Sequence, residues 1–256
     1  MNFIILIVNL IILYITVVNA GPSKIEGGAL CRIQDKPSVV SIQRNSYHIC
    51  GGAILSEKLV ITSASCLMLD NLVIFGNLEV FSGTADLLEQ GSSQVNRVQL
   101  VILHPQYDPK NFWINDIAIL RLSKPMLLNW NRREVWLSSR NKNVRRPIII
   151  SGWGGSLETS YEPSRYLKQI EVHELSSQSC LALYGKYGGV HENQRCATSM
   201  DPIEDHITKG DGGSSLIRHR VIVGIVSLKS YKLDEPMIFT VVNPYIEWIR
   251  EIMTID

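Results

Sequence analysis

The sequence predicts an all-β protein, arranged as barrels or as a sandwich. Short runs rich in Val, Ile and Leu recur along the chain, and Gly, Pro, Asn and Ser separate them. Long helical periodicity is scarce, which argues against alternating strands and helices. The runs that satisfy the strand pattern cover residues 39–43, 53–55, 58–62, 98–103, 148–151, 167–172, 221–228 and 237–242.

One helix is predicted, at about residues 243–254. Asn243 can cap it, and Pro244 suits its first turn. Apolar side chains share one face of this segment, namely Ile246, Ile249, Ile252 and Met253. That spacing is typical of an amphipathic helix.

Length and charge restrict the class of protein. The chain has 256 residues, a formal net charge of +1 and 45% apolar residues. That apolar fraction is enough for a full core. A balanced charge gives no reason to expect nucleic acid or an anionic membrane as a general partner. The length fits one large all-β unit or two small barrels.

The first twenty residues predict a cleaved secretory signal. An apolar run from Phe3 to Val18 precedes the small residues that signal peptidase accepts, ending at Ala20. A membrane anchor is the alternative, but the run lies near the lower length limit for a bilayer span and no basic flank follows it. We therefore expect a secreted, extracellular protein with no membrane-bound segment after residue 20.

Eight short motifs stand along the chain in order. They are IEGG at 25–28, CGGAIL at 50–55, TSASC at 62–66, NDIAIL at 115–120, SGWG at 151–154, GDGGSS at 210–215, GIVS at 224–227 and YIEWI at 245–249. In order and spacing they resemble the trypsin-like serine proteases over essentially the whole mature chain. That resemblance implies two six-stranded antiparallel β-barrels, at about 25–128 and 147–242, followed by a C-terminal α-helix.

Within that family, the chain resembles the mite group 3 allergen proteases most closely. The segments KPMLLN at 124–129 and 160–167 carry this likeness. Lesions at the catalytic positions make the chain similar to the inactivated protease paralogues of the scabies mite. Some members of that group bind host complement recognition proteins and damp the cascade. The resemblance therefore implies host extracellular proteins as partners.

The resemblance places the degenerate catalytic triad at Ser65, Asp116 and Gly212. Ser65 stands where the family has its histidine, and Gly212 where it has its nucleophilic serine. An alcohol is too weak a base to replace an imidazole, and glycine has no hydroxyl to be acylated. Such a loss costs about a million-fold in rate, ~8 kcal/mol of barrier. We expect no peptidase activity, although the amides of Gly210 and Gly212 keep the place of the oxyanion hole.

The former specificity pocket is assigned by the same resemblance to His206, Ser227, Lys229 and Met237. His206 stands where a trypsin has the acid that reads basic side chains, and Lys229 and Met237 replace glycines of the pocket wall. Their long side chains are expected to fill the pocket. Ser227 is expected to donate a hydrogen bond to the triad acid, as is the serine at the histidine position.

An activation pair is also implied by the resemblance. In the family, cleavage before the residue matching Ile25 releases an amino group that pairs with the residue matching Asp211. Residues 21–24 would then be a short propeptide, and the mature domain would run from 25 to 256. An exposed Lys24 that is never cut is the alternative.

The five cysteines are expected to form disulfides in an oxidising compartment. The resemblance pairs Cys50 with Cys66 and Cys180 with Cys196. Cys31 is left over because its family partner position holds glutamine, so it is either a free thiol or part of an intermolecular bridge.

Several alternatives stay open. The chain could be an active or weakly active serine endopeptidase with a non-standard site, using Ser214 or Ser215, or a decoy for protease substrates or inhibitors. The cation-rich stretch 129–146 is either a solvated linker or a docking strip for an acidic partner, anchored by Trp130 and Trp136. Neither a cofactor nor a metal is expected. The sequence does not decide the oligomeric state.

Overall fold

The computed structural model describes residues 27–68, 73–89, 91, 94–137, 147–155, 162–185, 189–201, 205–228 and 235–255. The predicted signal peptide, propeptide and Ile25 lie outside these residues, as does Lys229 of the predicted pocket. None of the helices within the described ranges is long and apolar enough to cross a bilayer.

Six antiparallel strands of the N-terminal half close into a barrel. They are β2 (Val39–Arg44), β3 (Tyr47–Ile54), β4 (Leu59–Thr62), β5 (Leu78–Ser82), β6 (Gln94–Leu103) and β7 (Ala118–Leu122). Their order around the barrel is β2-β3-β4-β7-β6-β5. Ile42, Ile54, Val80 and Leu120 are buried together inside the barrel, since alternate side chains of each strand point inward.

Six further antiparallel strands form the second barrel. They are β8 (Ile148–Gly152), β9 (Lys168–Glu174), β10 (Gln194–Ser199), β11 (Ser215–Arg218), β12 (Val221–Leu228) and β13 (Met237–Val241). The order β9-β10-β13-β12-β11-β8 closes through the pairing of β8 with β9. The short β1 (Ala29–Leu30) adds to β9 from outside. The all-β fold with two six-stranded barrels is therefore confirmed.

Within the described ranges two α-helices accompany the barrels, and only one of them was predicted. The unpredicted α1 (Ser177–Tyr184) begins after Ser176, whose hydroxyl accepts a hydrogen bond from the Ser179 amide at 3.1 Å. The C-terminal segment starts as a 3-10 turn at Asn243–Tyr245 and continues as α2 (Ile246–Thr254). Asn243 thus lies within the turn and does not cap a helix with its side chain.

The two barrels share one apolar cluster. Leu59 and Ile61 of the first barrel, Ile225 of the second, and Ile249 and Ile252 of α2 belong to it. Burial of apolar area contributes about 25 cal/mol per Å². The seam between the barrels is therefore part of the core, and the catalytic positions lie along it.

Both disulfides implied by the family resemblance are present. Cys50 is bonded to Cys66, and Cys180 to Cys196. Cys31 is a free thiol that is half buried, with its sulfur 3.8 Å from the Leu167 carbonyl oxygen. Desolvation raises the pKa of this thiol to about 11.

Candidate functional site

Asp116 is fixed at the seam by contacts from both barrels. It follows Asn115, whose φ of 57° turns the chain just before β7. The Tyr245 hydroxyl donates to Asn115 Oδ1 at 2.7 Å, and the Thr240 hydroxyl donates to the Asp116 carbonyl oxygen at 3.0 Å. The backbone at Asp116 is therefore held by residues that are far apart in sequence.

The Asp116 carboxylate accepts hydrogen bonds from two serines, Ser65 and Ser227. The Ser65 amide donates to Oδ1 at 2.7 Å, and the Ser65 hydroxyl donates to Oδ2 at 2.7 Å. The Ser227 hydroxyl also donates to Oδ2, so both expected hydroxyl contacts are present. Burial raises the pKa of Asp116, while the hydrogen bonds from Ser227, Ser65 and the Ala64 amide act against this rise.

Gly212 faces the Cys50–Cys66 disulfide. Its carbonyl oxygen accepts a hydrogen bond from the Gly51 amide at 2.9 Å. A Cβ atom added at Gly212 would lie 3.1 Å from the Cys66 sulfur and 3.9 Å from the Cys50 sulfur. A side chain at this position would therefore need the disulfide to yield by a few tenths of an ångström.

His48 forms a hydrogen bond with the loop of the former oxyanion hole. Nε2 of His48 lies 3.1 Å from the Gly210 carbonyl oxygen, and Nδ1 lies 2.8 Å from the Ser41 hydroxyl. Burial lowers the pKa of His48 to about 4, so the ring is neutral at pH 7. A neutral ring that donates from Nε2 accepts at Nδ1, and the Ser41 hydroxyl is then the donor.

Asp211 belongs to the same loop, next to Gly210. Its Oδ1 accepts from the Gly154 amide at 2.9 Å, and its Oδ2 accepts from the Thr208 amide at 2.8 Å. Nearby, the Lys168 ammonium donates to the Gly27 carbonyl oxygen at 3.1 Å. The first described residues are thus docked on the second barrel. The predicted partner of Asp211, Ile25, lies outside the described chain.

Met237 and His206, two of the predicted pocket residues, lie in different environments. Met237 is 4% exposed and packs with Ala197 and Val226 in the core of the second barrel. His206 lines a cavity of about 10 Å³ with Lys168 and other residues. That volume holds about one water molecule. Met237 therefore occupies apolar space inside the barrel, and His206 faces a space too small for a substrate side chain.

The two remaining serines of the loop point into the protein. Ser214 and Ser215 are 1% and 2% exposed. The Ser214 hydroxyl lies where a Cβ on Gly51 would be, 2.1 Å away, and 3.1 Å from a Cβ placed on Gly152. Gly51 lies in β3 of the first barrel and Gly152 in β8 of the second. The Ser214 hydroxyl is therefore enclosed between the barrels and does not face the cleft.

The structure thus brings Ser65, Asp116 and Ser227 together, and places Gly212 beside the disulfide next to Ser65. Among the described residues, no group of three His, Cys, Asp or Glu side chains is placed to hold a metal ion. Thr208 and Ser41 complete the site, three residues from Asp211 and seven from His48 respectively. They were missed because they stand outside the motifs of the family resemblance. The two barrels and the acid at their seam define a member of the serine protease class.

Comparison with known proteins agrees with this assignment. The trypsin family profile matches residues 25–249. Anionic trypsin from Canis lupus familiaris is 30% identical over 231 residues, with 89% of this chain and 88% of that protein covered. Trypsin from Simulium vittatum is 32% identical over 211 residues, covering 80% and 82% respectively. The chain therefore belongs to the trypsin-like serine protease family.

A solved structure shows the same architecture. Neuropsin, a serine protease expressed in the limbic system of mouse brain, superposes with a TM-score of 0.77 at 27% identity. The match covers 88% of this chain and 98% of neuropsin.

Proposed function

We propose that this chain is a secreted, non-catalytic member of the trypsin family that acts by binding an extracellular protein. The carrying observation is the Ser65 hydroxyl bonded to Asp116, beside a Gly212 that has no side chain. In a working triad the carboxylate orients an imidazole that takes a proton from the nucleophile. Here the carboxylate accepts hydrogen bonds from alcohols, which cannot take that proton near neutral pH.

The state of the pocket supports the same proposal. A trypsin needs an open slot for the substrate side chain before any chemistry can follow. Met237 is packed among Ile150, Val226 and Phe239, where a wall glycine would leave room. Ser214 and Ser215 are enclosed, which argues against their use as replacement nucleophiles.

The first test is a hydrolysis assay. Purified chain, with and without cleavage after Lys24, is incubated with fluorogenic peptides that end in Arg, Lys, Phe or Leu, and with a fluorophosphonate probe. We expect no turnover above buffer and no labelled serine. Turnover that is lost on labelling of a single serine would show that the chain is a peptidase.

A second test restores the missing groups. The double variant Ser65→His/Gly212→Ser is expected to stay at least about 100-fold slower than a trypsin assayed alongside it, because misplacement of the substrate by 1 Å costs that much. Adding Met237→Ala should raise its rate, since this change opens the pocket. The matched control is Met200→Ala, at a methionine that is 60% exposed, and it should leave the rate unchanged.

The choice of partner rests on the resemblance to the scabies mite paralogues. We propose host extracellular proteins, with complement recognition proteins as the first candidates. Immobilised chain is exposed to host serum and the retained proteins are identified by mass spectrometry, while complement activation is measured in parallel. Retention of a complement recognition protein with reduced activation supports the proposal. Unchanged activation and no retained complement protein would refute it.

A further inference from the structure

An open groove lies on the connection between the barrels, away from Asp116 and Gly212. It has a volume of about 460 Å³. Its lining includes Leu128, Trp130, Arg133, Glu134, Trp136 and Arg220, and we call it the Trp–Arg groove. The first five belong to the connection that follows β7, and Arg220 comes from the turn between β11 and β12.

Two stacked pairs dominate this groove. The Arg133 guanidinium lies 4.4 Å from the ring centroid of Trp130, and the Arg220 guanidinium lies 4.6 Å from that of Trp136. Trp130 is 77% exposed and Trp136 51% exposed. A guanidinium that stacks on an indole keeps its N–H edge available and its plane fixed. Such an edge suits two parallel hydrogen bonds to a carboxylate.

The backbone holds this arrangement in place. The Trp136 amide donates to the Arg220 carbonyl oxygen at 2.9 Å, and the Ile222 amide donates to the Trp136 carbonyl oxygen at 3.0 Å. His219 and Arg220 have φ values of 50° and 68°, a left-handed conformation that is unfavourable for non-glycine residues. The connection and the turn are therefore bonded to each other, and the groove exists before any partner binds.

Charge is concentrated on the same connection. The described lining of the groove contains three cations, Arg132, Arg133 and Arg220, and one acid, Glu134. The lining is therefore electropositive, and a partner with carboxylates is drawn to it.

We propose that the Trp–Arg groove binds an extended acidic peptide segment of a protein partner. Carboxylates of that segment pair with Arg133 and Arg220, and an apolar side chain between them packs on Trp130 and Leu128. This proposal deepens the proposed function, because it rests on the chain acting by protein binding and names the surface that it uses.

Glu134 selects a peptide over a uniform polyanion. Its side chain is exposed and lines the groove together with both stacked arginines. A sulfated glycan or a nucleic acid carries an anion on nearly every unit, so one anion would meet the Glu134 carboxylate and be repelled. A peptide can place a neutral residue at that position.

The test measures fluorescence anisotropy of a labelled peptide in which Glu and Phe alternate, with the Gln–Phe peptide as its neutral counterpart. We expect the acidic peptide to bind and the neutral one to bind at least about tenfold more weakly. Arg133→Gln and Arg220→Gln should each weaken binding by about tenfold, and their combination should abolish it. Raising the salt concentration should also weaken binding.

The matched control is Arg44→Gln. Arg44 also stacks on an aromatic ring, with its guanidinium 4.8 Å from the centroid of Phe75 in the first barrel, and its loss removes the same charge. Binding that is equal for both peptides, or equally weakened by Arg44→Gln, overturns the proposal. A heparin-derived oligosaccharide that binds more tightly than the acidic peptide, and is lost in the Arg133→Gln/Arg220→Gln variant, overturns it as well.

The two proposals can fail separately. If a complement protein is retained from serum equally by the parent chain and by the Arg133→Gln/Arg220→Gln variant, the proposed function stands and the groove is not its surface. If the parent chain hydrolyses peptides, the proposed function fails, and the anisotropy result still decides the groove.

Discussion

Asp116 is a buried carboxylate whose hydrogen-bond donors at Oδ2 are both hydroxyls. Hydroxyls can rotate to accept instead of donate, so an amide NH₂ can take the place of Oδ2. Because burial raises the pKa of Asp116, the charged form is less favourable in the fold than in the unfolded chain. Asp116→Asn should therefore stabilise the chain by about 1 kcal/mol at pH 7, measured by urea unfolding.

The gain should shrink as the pH falls toward about 4, because the folded carboxyl, whose pKa is raised, is protonated first; below about 4 both states are protonated and the gain is gone. Asp211→Asn is the matched control. Both oxygens of Asp211 accept from backbone amides, which cannot reverse their direction. That variant should lose about 2 kcal/mol. A loss of similar size for Asp116→Asn would contradict the account of the site.

The free thiol of Cys31 gives a second prediction for a single residue. With its pKa raised to about 11 by desolvation, it has little thiolate at pH 8. Alkylation by iodoacetamide at pH 8 should be at least about 100-fold slower in the native chain than in the chain unfolded by urea. Mass spectrometry over time measures both rates. Rapid native alkylation, or a dimer that disappears under reducing agent, would instead support an accessible or bridged cysteine.

The turn of the β2–β3 hairpin holds two non-glycine residues in a strained backbone conformation. Its turn residues Asn45 and Ser46 have φ values of 51° and 63°, as a two-residue hairpin turn requires. Serine is poorly suited to that conformation, whereas glycine adopts it freely. Ser46→Gly should raise the free energy of unfolding by about 1 kcal/mol. Ser123→Gly, at an exposed residue with ordinary φ, should lower it slightly, and equal effects would argue against this turn.

Strands β5, β7 and β11 were not among the predicted runs. Strands β2, β4, β8, β9, β12 and β13 could be predicted from sequence because their side chains alternate or run continuously toward a core. β10 could not be, since Gln194 is buried in it and is satisfied by the Phe112 carbonyl oxygen at 3.0 Å. Helix α1 was missed because its eight residues show little amphipathic pattern, and the disulfide at Cys180 lies in the middle of the helix. Both β10 and α1 depend on contacts with residues far away in sequence, which a short stretch of sequence does not contain.

The site was predictable to the extent that family motifs carried it. Ser65, Asp116 and Ser227 meet as the resemblance implied. The link from Ser41 through His48 to the Gly210 loop has no local signal, because 162 residues separate the ring from that carbonyl oxygen.

At the scale of the whole molecule, His48 predicts how stability depends on pH. Its ring is neutral in the fold because burial lowers its pKa to about 4, whereas an unfolded histidine titrates near pH 6.5. The unfolded chain therefore takes up a proton first as the pH falls, and stability is lost between about pH 6.5 and 4. The loss from this group should be about 3 kcal/mol.

Urea unfolding between pH 4 and 7.5 measures this loss. His48→Gln keeps a donor and an acceptor but cannot titrate, so its stability should fall less steeply over the same range. His173→Gln, at an exposed histidine, should leave the slope as it is in the parent chain. If the stability of the parent chain and of His48→Gln falls equally steeply with falling pH, a group other than His48 causes the loss of stability in acid.

The shared cluster at the seam has a consequence for biosynthesis. Leu59 and Ile61 of the first barrel are covered in part by Ile249 and Ile252, which lie within the last eight residues of the chain. On the ribosome the first barrel emerges early, yet part of its apolar side stays exposed until the α2 segment has been made and has folded onto it. Nascent chains that stall before Ile246 therefore leave that side open to chaperones.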